Sequence, residues 1–282
     1  MLVYINGELV ERGEARVSAL DRGLMYGYGL FETMRSYSGR VFRLDRHLSR
    51  LARSAEVLGI GAALDNAELE RAVYDTIAAN KLSDARIRLT VTAGEGERSI
   101  SLPSSGPLTT VIVAEELVLP PPHVYENGIR AAIVDAARNS RSPLSGLKAI
   151  GYIESLLARS QAAGAGAEEA VMLNERGLVA ECSTSNIFVV TSGRLLTPSV
   201  EGGILPGITR GVVLELASSL GIEASECDVT VADLLDADEA FITNSIIEIL
   251  PVVAVDGKPI GKWEPGEVTA SLSKGYRELV GC

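Results

Sequence analysis

Apolar residues along the chain recur first at the spacing of strands, then of helices, and then in an alternation of the two. Val3, Tyr4 and Ile5 run into Asn6-Gly7, a dipeptide that accepts left-handed backbone, so the N-terminus is expected to be a hairpin. A second hairpin is expected over 34–37 and 41–42, turning at Ser38-Gly39. Leu44, Leu48, Leu51, Ala55 and Leu58 then recur at alternating steps of four and three. That spacing puts them on one helix face, and Gly59 supplies a stop. Asp65 or Asn66 is placed to cap a further helix running to about Asn80. Strand-like runs over 86–92 and 108–114 flank a segment rich in glycine and proline, read as a loop.

Leu119-Pro120-Pro121-Pro122-His123 cannot continue a helix or a central strand, because three successive residues lack a backbone N–H. The domain boundary is placed there, giving an N-terminal domain over 1–118, a linker over 119–127 and a C-terminal domain over 128–282. The second half reads as a strand over 129–135, a helix over 150–164 and a hairpin of 170–174 with 178–181. Next come a strand over 187–190, a helix over 207–220 closed by Gly221, strands over 240–243 and 249–255, and a terminal helix. There is no internal repeat.

Composition narrows the classes. Over 282 residues, 46% hydrophobic and 22% charged residues describe a globular chain with a sizeable core rather than a disordered one. A net charge of -11 with scattered arginines argues against a nucleic-acid partner. Cys182, Cys227 and Cys282 are odd in number and far apart, so no disulfide framework is expected. With His47 and His123 as the only histidines, no metal site is expected either. No signal peptide and no membrane-spanning run is read, and the expected location is the cytoplasm. A Gly-x-Ser-x-Gly elbow is absent, and Gly27-Tyr28-Gly29 lacks the third glycine of a dinucleotide fingerprint.

Candidate chemistry lies in five segments, each generic by itself. Lys148 is flanked by Leu147, Ala149, Ile150 and Ile153, an apolar setting that makes an amine a better nucleophile. Glu181 is a lone carboxylate ahead of the polar turn Ser183-Thr184-Ser185. Gly207-Ile208-Thr209 opens a helix and offers unpaired backbone N–H groups to an anion. Thr243-Asn244-Ser245 is a polar turn after an apolar strand, and Arg50 is a permanent cation on the helix side that carries His47.

Taken in order, these segments resemble the fold-type IV (class IV) pyridoxal phosphate aminotransferases, which include branched-chain aminotransferases, D-amino acid aminotransferases and aminodeoxychorismate lyases. Asp21-Arg22-Gly23-Leu24 and Tyr26-Gly27-Tyr28-Gly29-Leu30-Phe31-Glu32-Thr33-Met34-Arg35 resemble the family's N-terminal active-site segment. Leu44-Asp45-Arg46-His47-Leu48-Ser49-Arg50-Leu51 resembles its phosphate-arginine helix. The segments around Lys148, Glu181, Gly207 and Asn244-Ser245 follow in family order over nearly the whole chain.

The resemblance implies an α+β fold of two domains, a small N-terminal α/β domain and a larger β-rich C-terminal one, with the cofactor between them. It implies pyridoxal 5'-phosphate bound covalently by Lys148, which also carries the proton between substrate and cofactor carbons. Glu181 would pair with the pyridine nitrogen, Tyr152 would donate to the phenolic oxygen, and Arg50, Ile208, Thr209 and Ser245 would hold the phosphate. It further implies a homo-oligomer, at least a dimer. For substrate, Arg88 resembles the arginine that branched-chain enzymes direct at acidic substrates, and Arg98 the loop arginine of the D-amino acid enzymes and lyases. Ile100 stands where the D-amino acid enzymes place a histidine. Tyr26 and Phe31 are expected to line an apolar side-chain site. The expected activity is transfer of an amino group between an aliphatic, branched-chain-type amino acid and a 2-oxo acid such as 2-oxoglutarate. D-amino acid transamination and aminodeoxychorismate cleavage to 4-aminobenzoate and pyruvate are the alternatives. A binding protein without cofactor would need every motif to coincide in order by chance.

Overall fold

In the computed structural model, which describes residues 1–96 and 106–281, Asn6 and Gly7 both take positive φ, 50° and 99°. They turn β1 (Leu2–Ile5) into β2 (Glu8–Glu11). A short helix, α1 (Arg22–Tyr26), is capped by the Asp21 side chain. It ends at Gly27, whose φ of 67° is the left-handed conformation of a helix stop. Then follow β3 (Gly29–Tyr37), β4 (Arg40–Val41), α2 (Leu44–Val57), α3 (Asn66–Ala79), β5 (Ala85–Thr92) and β6 (Thr109–Glu116).

Contacts divide the chain into two units, Met1–Val118 with Leu147–Gly151, and Leu119–Gly146 with Tyr152–Cys282. The first unit holds an antiparallel sheet in the order β2-β1-β6-β5-β3-β4. Its core is the face covered by α2 and α3. Leu44, Leu48, Leu51 and Ala55 of α2 and Leu69, Ala72, Val73 and Ile77 of α3 pack with Leu30, Met34, Ile87, Leu89 and Val91 of the sheet. Each fully buried leucine contributes about 1.5–3 kcal/mol by leaving water. Asp65 caps α3, its carboxylate accepting the N–H groups of Ala67 and Glu68.

The second unit begins with α4 (Pro122–Asn127), so the proline run does not exclude a helix as its composition suggested. Pro122 is in the first helical turn, where a missing N–H costs nothing. The chain continues through β7 (Ile129–Arg138), α5 (Ile153–Gly164), β8 (Glu169–Asn174), β9 (Val179–Cys182), β10 (Asn186–Thr191) and β11 (Arg194–Pro198). It then forms α6 (Ile208–Ser219), β12 (Ala224–Cys227), α7 (Val231–Leu235), β13 (Glu239–Asn244), β14 (Glu248–Val255), β15 (Lys258–Pro259) and α8 (Glu267–Val280). The sheet order is β12-β11-β10-β13-β14-β7-β8-β9, with β15 on β14. β7 and β8 are parallel, as are β11 and β12, and α5 and α6 make the crossovers that parallel pairing requires. β14 is buried along its whole length between β13 and β7, which accounts for its unbroken apolar run. No helix among the described residues is long and apolar enough to cross a membrane.

One boundary differs in a way that matters for the site. The helix expected from residue 150 starts at Ile153, with Tyr152 as its N-cap. The residues before it are taken by pairing with β3 instead.

Candidate functional site

Lys148 owes its position to a strand. In the first unit, residues 147–151 run antiparallel to the start of β3. Phe31 N–H donates to Lys148 O at 2.9 Å, Ile150 N–H donates to Gly29 O at 3.1 Å, and Leu30 bridges Ala149. Gly29 permits this approach, since a Cβ there would stand 2.6 Å from Val91 O and 3.1 Å from Ile150 Cδ1. The Lys148 ammonium lies 4.5 Å from the centre of the Phe31 ring, and Arg88 Cζ lies 3.8 Å from the same ring. A ring face attracts cations, so buried Phe31 is an electrostatic platform as well as an apolar wall.

On the other face of β3, toward α2, Glu32 is fully buried. Its Oε1 accepts Arg50 Nε–H at 2.8 Å, and its Oε2 accepts Arg50 Nη2–H at 2.6 Å. His47 Nδ1 lies 2.7 Å from the same Oε2. Burial alone would raise the Glu32 carboxyl; the Arg50 charge, with His47 and its hydrogen bond, outweighs burial and brings it down to about 2. For His47 burial is also the largest influence and lowers it, with Glu32 pulling the other way. A neutral imidazole donating Nδ1–H to the carboxylate satisfies both groups. Tyr26 sits exposed on α1, outside the buried group around Phe31, and Arg98 lies outside the described residues.

In the second unit, Glu181 on β9 is held at both oxygens. Oε1 lies 2.9 Å from Arg138 Nε, an ion-pair distance although the N–H does not point along it. Oε2 accepts the Leu205 N–H at 3.0 Å. Tyr152 donates its hydroxyl to Ser183 O at 3.2 Å. Its phenol is raised, by burial first, with a smaller lowering from Ser155 and a further raising from the Glu181 charge. Tyr152, Glu181 and Arg138 are thus close enough to feel one another.

The start of α6 has Gly207 as N-cap and no side chain capping it. Asn186 explains why glycine is needed, because its Oδ1 would be 2.0 Å from a Cβ at Gly207. Thr243 is the cross-strand partner of Asn186, so its side chain shares the face that meets α6. Thr243 Oγ1 is buried without a hydrogen-bond partner. After it, Asn244 Oδ1 accepts the N–H groups of Ile246 and Ile247 at 2.9 and 3.0 Å, and its Nδ2 donates to Ser185 Oγ at 3.0 Å. Buried Thr209 and half-buried Ile208 and Ser245 complete the region. An uncapped helix start beside an unsatisfied hydroxyl fits a phosphate group.

Sequence reasoning did not single out Arg138 or Leu205, and it named Glu32 and Thr243 only as members of longer segments, without a role of their own. Glu32 had a readable signal, an acid amid Leu30, Phe31 and Met34 on an apolar strand. Arg138 and Leu205 had none, because only folding brings them to Glu181.

Comparison with known proteins accords with this geometry. The family model for amino-transferase class IV matches residues 29–255. A putative branched-chain-amino-acid aminotransferase of Methanocaldococcus jannaschii is 41% identical over 280 residues, 99% of this chain and 96% of that protein. The D-alanine aminotransferase of Bacillus licheniformis is 34% identical over 281 residues, covering 99% of this chain and 97% of that one. Among solved structures, a branched-chain amino acid aminotransferase (T.th.) complexed with N-(5'-phosphopyridoxyl)-L-glutamate superposes with a TM-score of 0.91 at 32% identity. That match covers 99% of this chain and 93% of the other.

Proposed function

The chain belongs to the amino-transferase class IV family, and on that premise we propose that it exchanges an amino group between an aliphatic, branched-chain-type amino acid and a 2-oxo acid such as 2-oxoglutarate. Enzymes of this class depend on pyridoxal 5'-phosphate. When bound, that cofactor withdraws electrons from the substrate's α-carbon.

Lys148 provides the covalent anchor and the base that holds the proton leaving the α-carbon. Its backbone pinning to β3 is the observation that carries the reading, because a nucleophile must be fixed to within about an ångström to act. Glu181 keeps a proton on the ring nitrogen, and Tyr152 turns its one hydroxyl proton from Ser183 O to the phenolic oxygen. Ile208, Thr209 and Ser245 hold the phosphate, supported by the uncapped start of α6. Arg50 is proposed to give the cofactor phosphate a positive charge, its guanidinium oriented by the two bonds to Glu32. Phe31 forms an apolar wall for the substrate side chain, and Arg88, stacked on it, pairs with a second carboxylate. Tyr26 and Arg98 are proposed to line the same substrate site. The enzyme is proposed to work in the cytoplasm as a homodimer; the exposed Ile153, Leu156 and Leu157 on α5 support the association.

Absorbance spectra of the purified protein before and after L-leucine, L-glutamate or D-alanine test the reading. Conversion of the visible cofactor band by L-leucine and L-glutamate is the expected result, and Lys148→Ala should abolish both the band and turnover. Conversion by D-alanine alone would favour the D-amino acid alternative. Pyruvate release from aminodeoxychorismate without an amino acceptor would favour the lyase.

A further inference from the structure

Parallel pairing of β7 with β8 breaks its register just before Arg138. From Val134↔Met172 to Arg138↔Asn174, β7 advances four residues while β8 advances two. Such irregularities re-aim side chains beside functional sites. Here the result is that Arg138 Nε sits 2.9 Å from Glu181 Oε1, while Arg138 Nη2 donates to the buried Ser155 Oγ at 3.1 Å. A second carboxylate near Arg138, that of Glu154, is 3.5 Å away and two-thirds exposed, so solvent screens that pair. The other Glu181 oxygen is fixed by the Leu205 N–H.

Two anchors from different elements, one per oxygen, stop the carboxylate rotating about its last bond. We propose that Arg138 is the positioning residue for Glu181. It sets the plane in which that carboxylate meets the ring nitrogen, and it does so through charge at close range. The off-line direction of its Nε–H makes the contact one of charge more than of a directed bond, so a lysine should substitute in part. This inference rests on the role proposed above for Glu181.

The test uses holoenzyme reconstituted with pyridoxal phosphate carrying 15N in the ring. Arg138→Met, Arg138→Lys, Glu181→Gln and the double variant Arg138→Met/Glu181→Gln are compared with the wild type. Arg138→Met should move the ring 15N resonance toward its position in Glu181→Gln. It should also lower kcat roughly 10- to 100-fold, the range seen when an outer partner of a functional ligand is removed, with KM little changed. Arg138→Lys should recover much of both, and serves as the reporter if the methionine variant folds poorly. In the Glu181→Gln background, Arg138→Met should add almost nothing, because a residue acting only through Glu181 has nothing left to position. Wild-type signal and rate in Arg138→Met, or a full additive loss in the double variant, would overturn the proposal while leaving Glu181 in its role. If Glu181→Gln itself behaves as wild type, the assignment of Glu181 fails first and that of Arg138 with it.

Discussion

Glu32, Arg50 and His47 are three titratable side chains inside the apolar face that α2 lays on the sheet, and none would be stable there alone. The pair of bonds from Arg50 and the one from His47 leave both Glu32 oxygens engaged. Removing one partner leaves a buried charge uncompensated, which costs about 3–5 kcal/mol. Glu32→Gln should therefore destabilise the protein by that order in urea unfolding, although it removes no volume from the core. The same cluster predicts the acid limit of stability. Glu32 is lowered from 4.5 to about 2 in the folded protein, so the unfolded chain takes up its proton first as pH falls. Its contribution is present above about pH 4.5 and is lost on the way down to about pH 2, roughly 3 kcal/mol in all. His47 is also lowered, so it acts in the same direction beginning near pH 6.5. Unfolding free energies measured across this range should fall steeply for the wild type, and the part below about pH 4.5 should flatten in Glu32→Gln. A parallel slope in both would remove the cluster from the explanation.

Elements differ in how openly the sequence declares them. The four-and-three spacing of Leu44, Leu48, Leu51 and Ala55 reports α2 directly, because helix periodicity is local and its buried face is one stripe. Asp65, Asn6-Gly7 and Ser38-Gly39 likewise mark their caps and turns by their own backbone preferences. Lys148, Glu181 and the start of α6 were picked out as candidate chemistry through motif order. The placement of Lys148 was not, since the pairing of 147–151 with β3 joins residues over a hundred positions apart and leaves no periodic trace. Arg138 was hidden for a similar reason, its aim being set by a register break between strands. Two glycines carry the consequence. Gly29→Ala would drive a Cβ to 2.6 Å from Val91 O, so it should cost about 1–3 kcal/mol of stability and displace the lysine segment. Gly207→Ala would press on Asn186 at the start of α6. Equilibrium titration of the apoprotein with pyridoxal phosphate should show weaker binding for Gly207→Ala, and unchanged affinity would separate that helix start from the phosphate.

At the scale of the whole molecule, what the folded chain leaves uncovered is informative. α5 turns small residues inward, Ser155, Ala158 and Ala162, and this lets it lie close on β7 and β8. Its opposite side shows Ile153, Leu156 and Leu157 to solvent, a stripe at helical spacing with exposures of 63%, 60% and 55%. In the other unit Leu24 and Met25 of α1 are similarly bare. Single exposed apolar residues are ordinary, but a contiguous helical stripe in a chain with a net charge of -11 has an energetic cost unless another surface covers it. A second copy of the chain is the covering that accords with the proposed homodimer. Sedimentation equilibrium should give at least twice the chain mass, and Ile153→Glu with Leu157→Glu should shift the protein toward the monomer. Because both side chains are exposed in the single chain, its own fold loses little packing by the change. A charged double variant that keeps the wild-type mass would mean that α5 is not the contact. One that becomes monomeric, keeps its circular dichroism and loses activity would show that association matters to the site beyond stability.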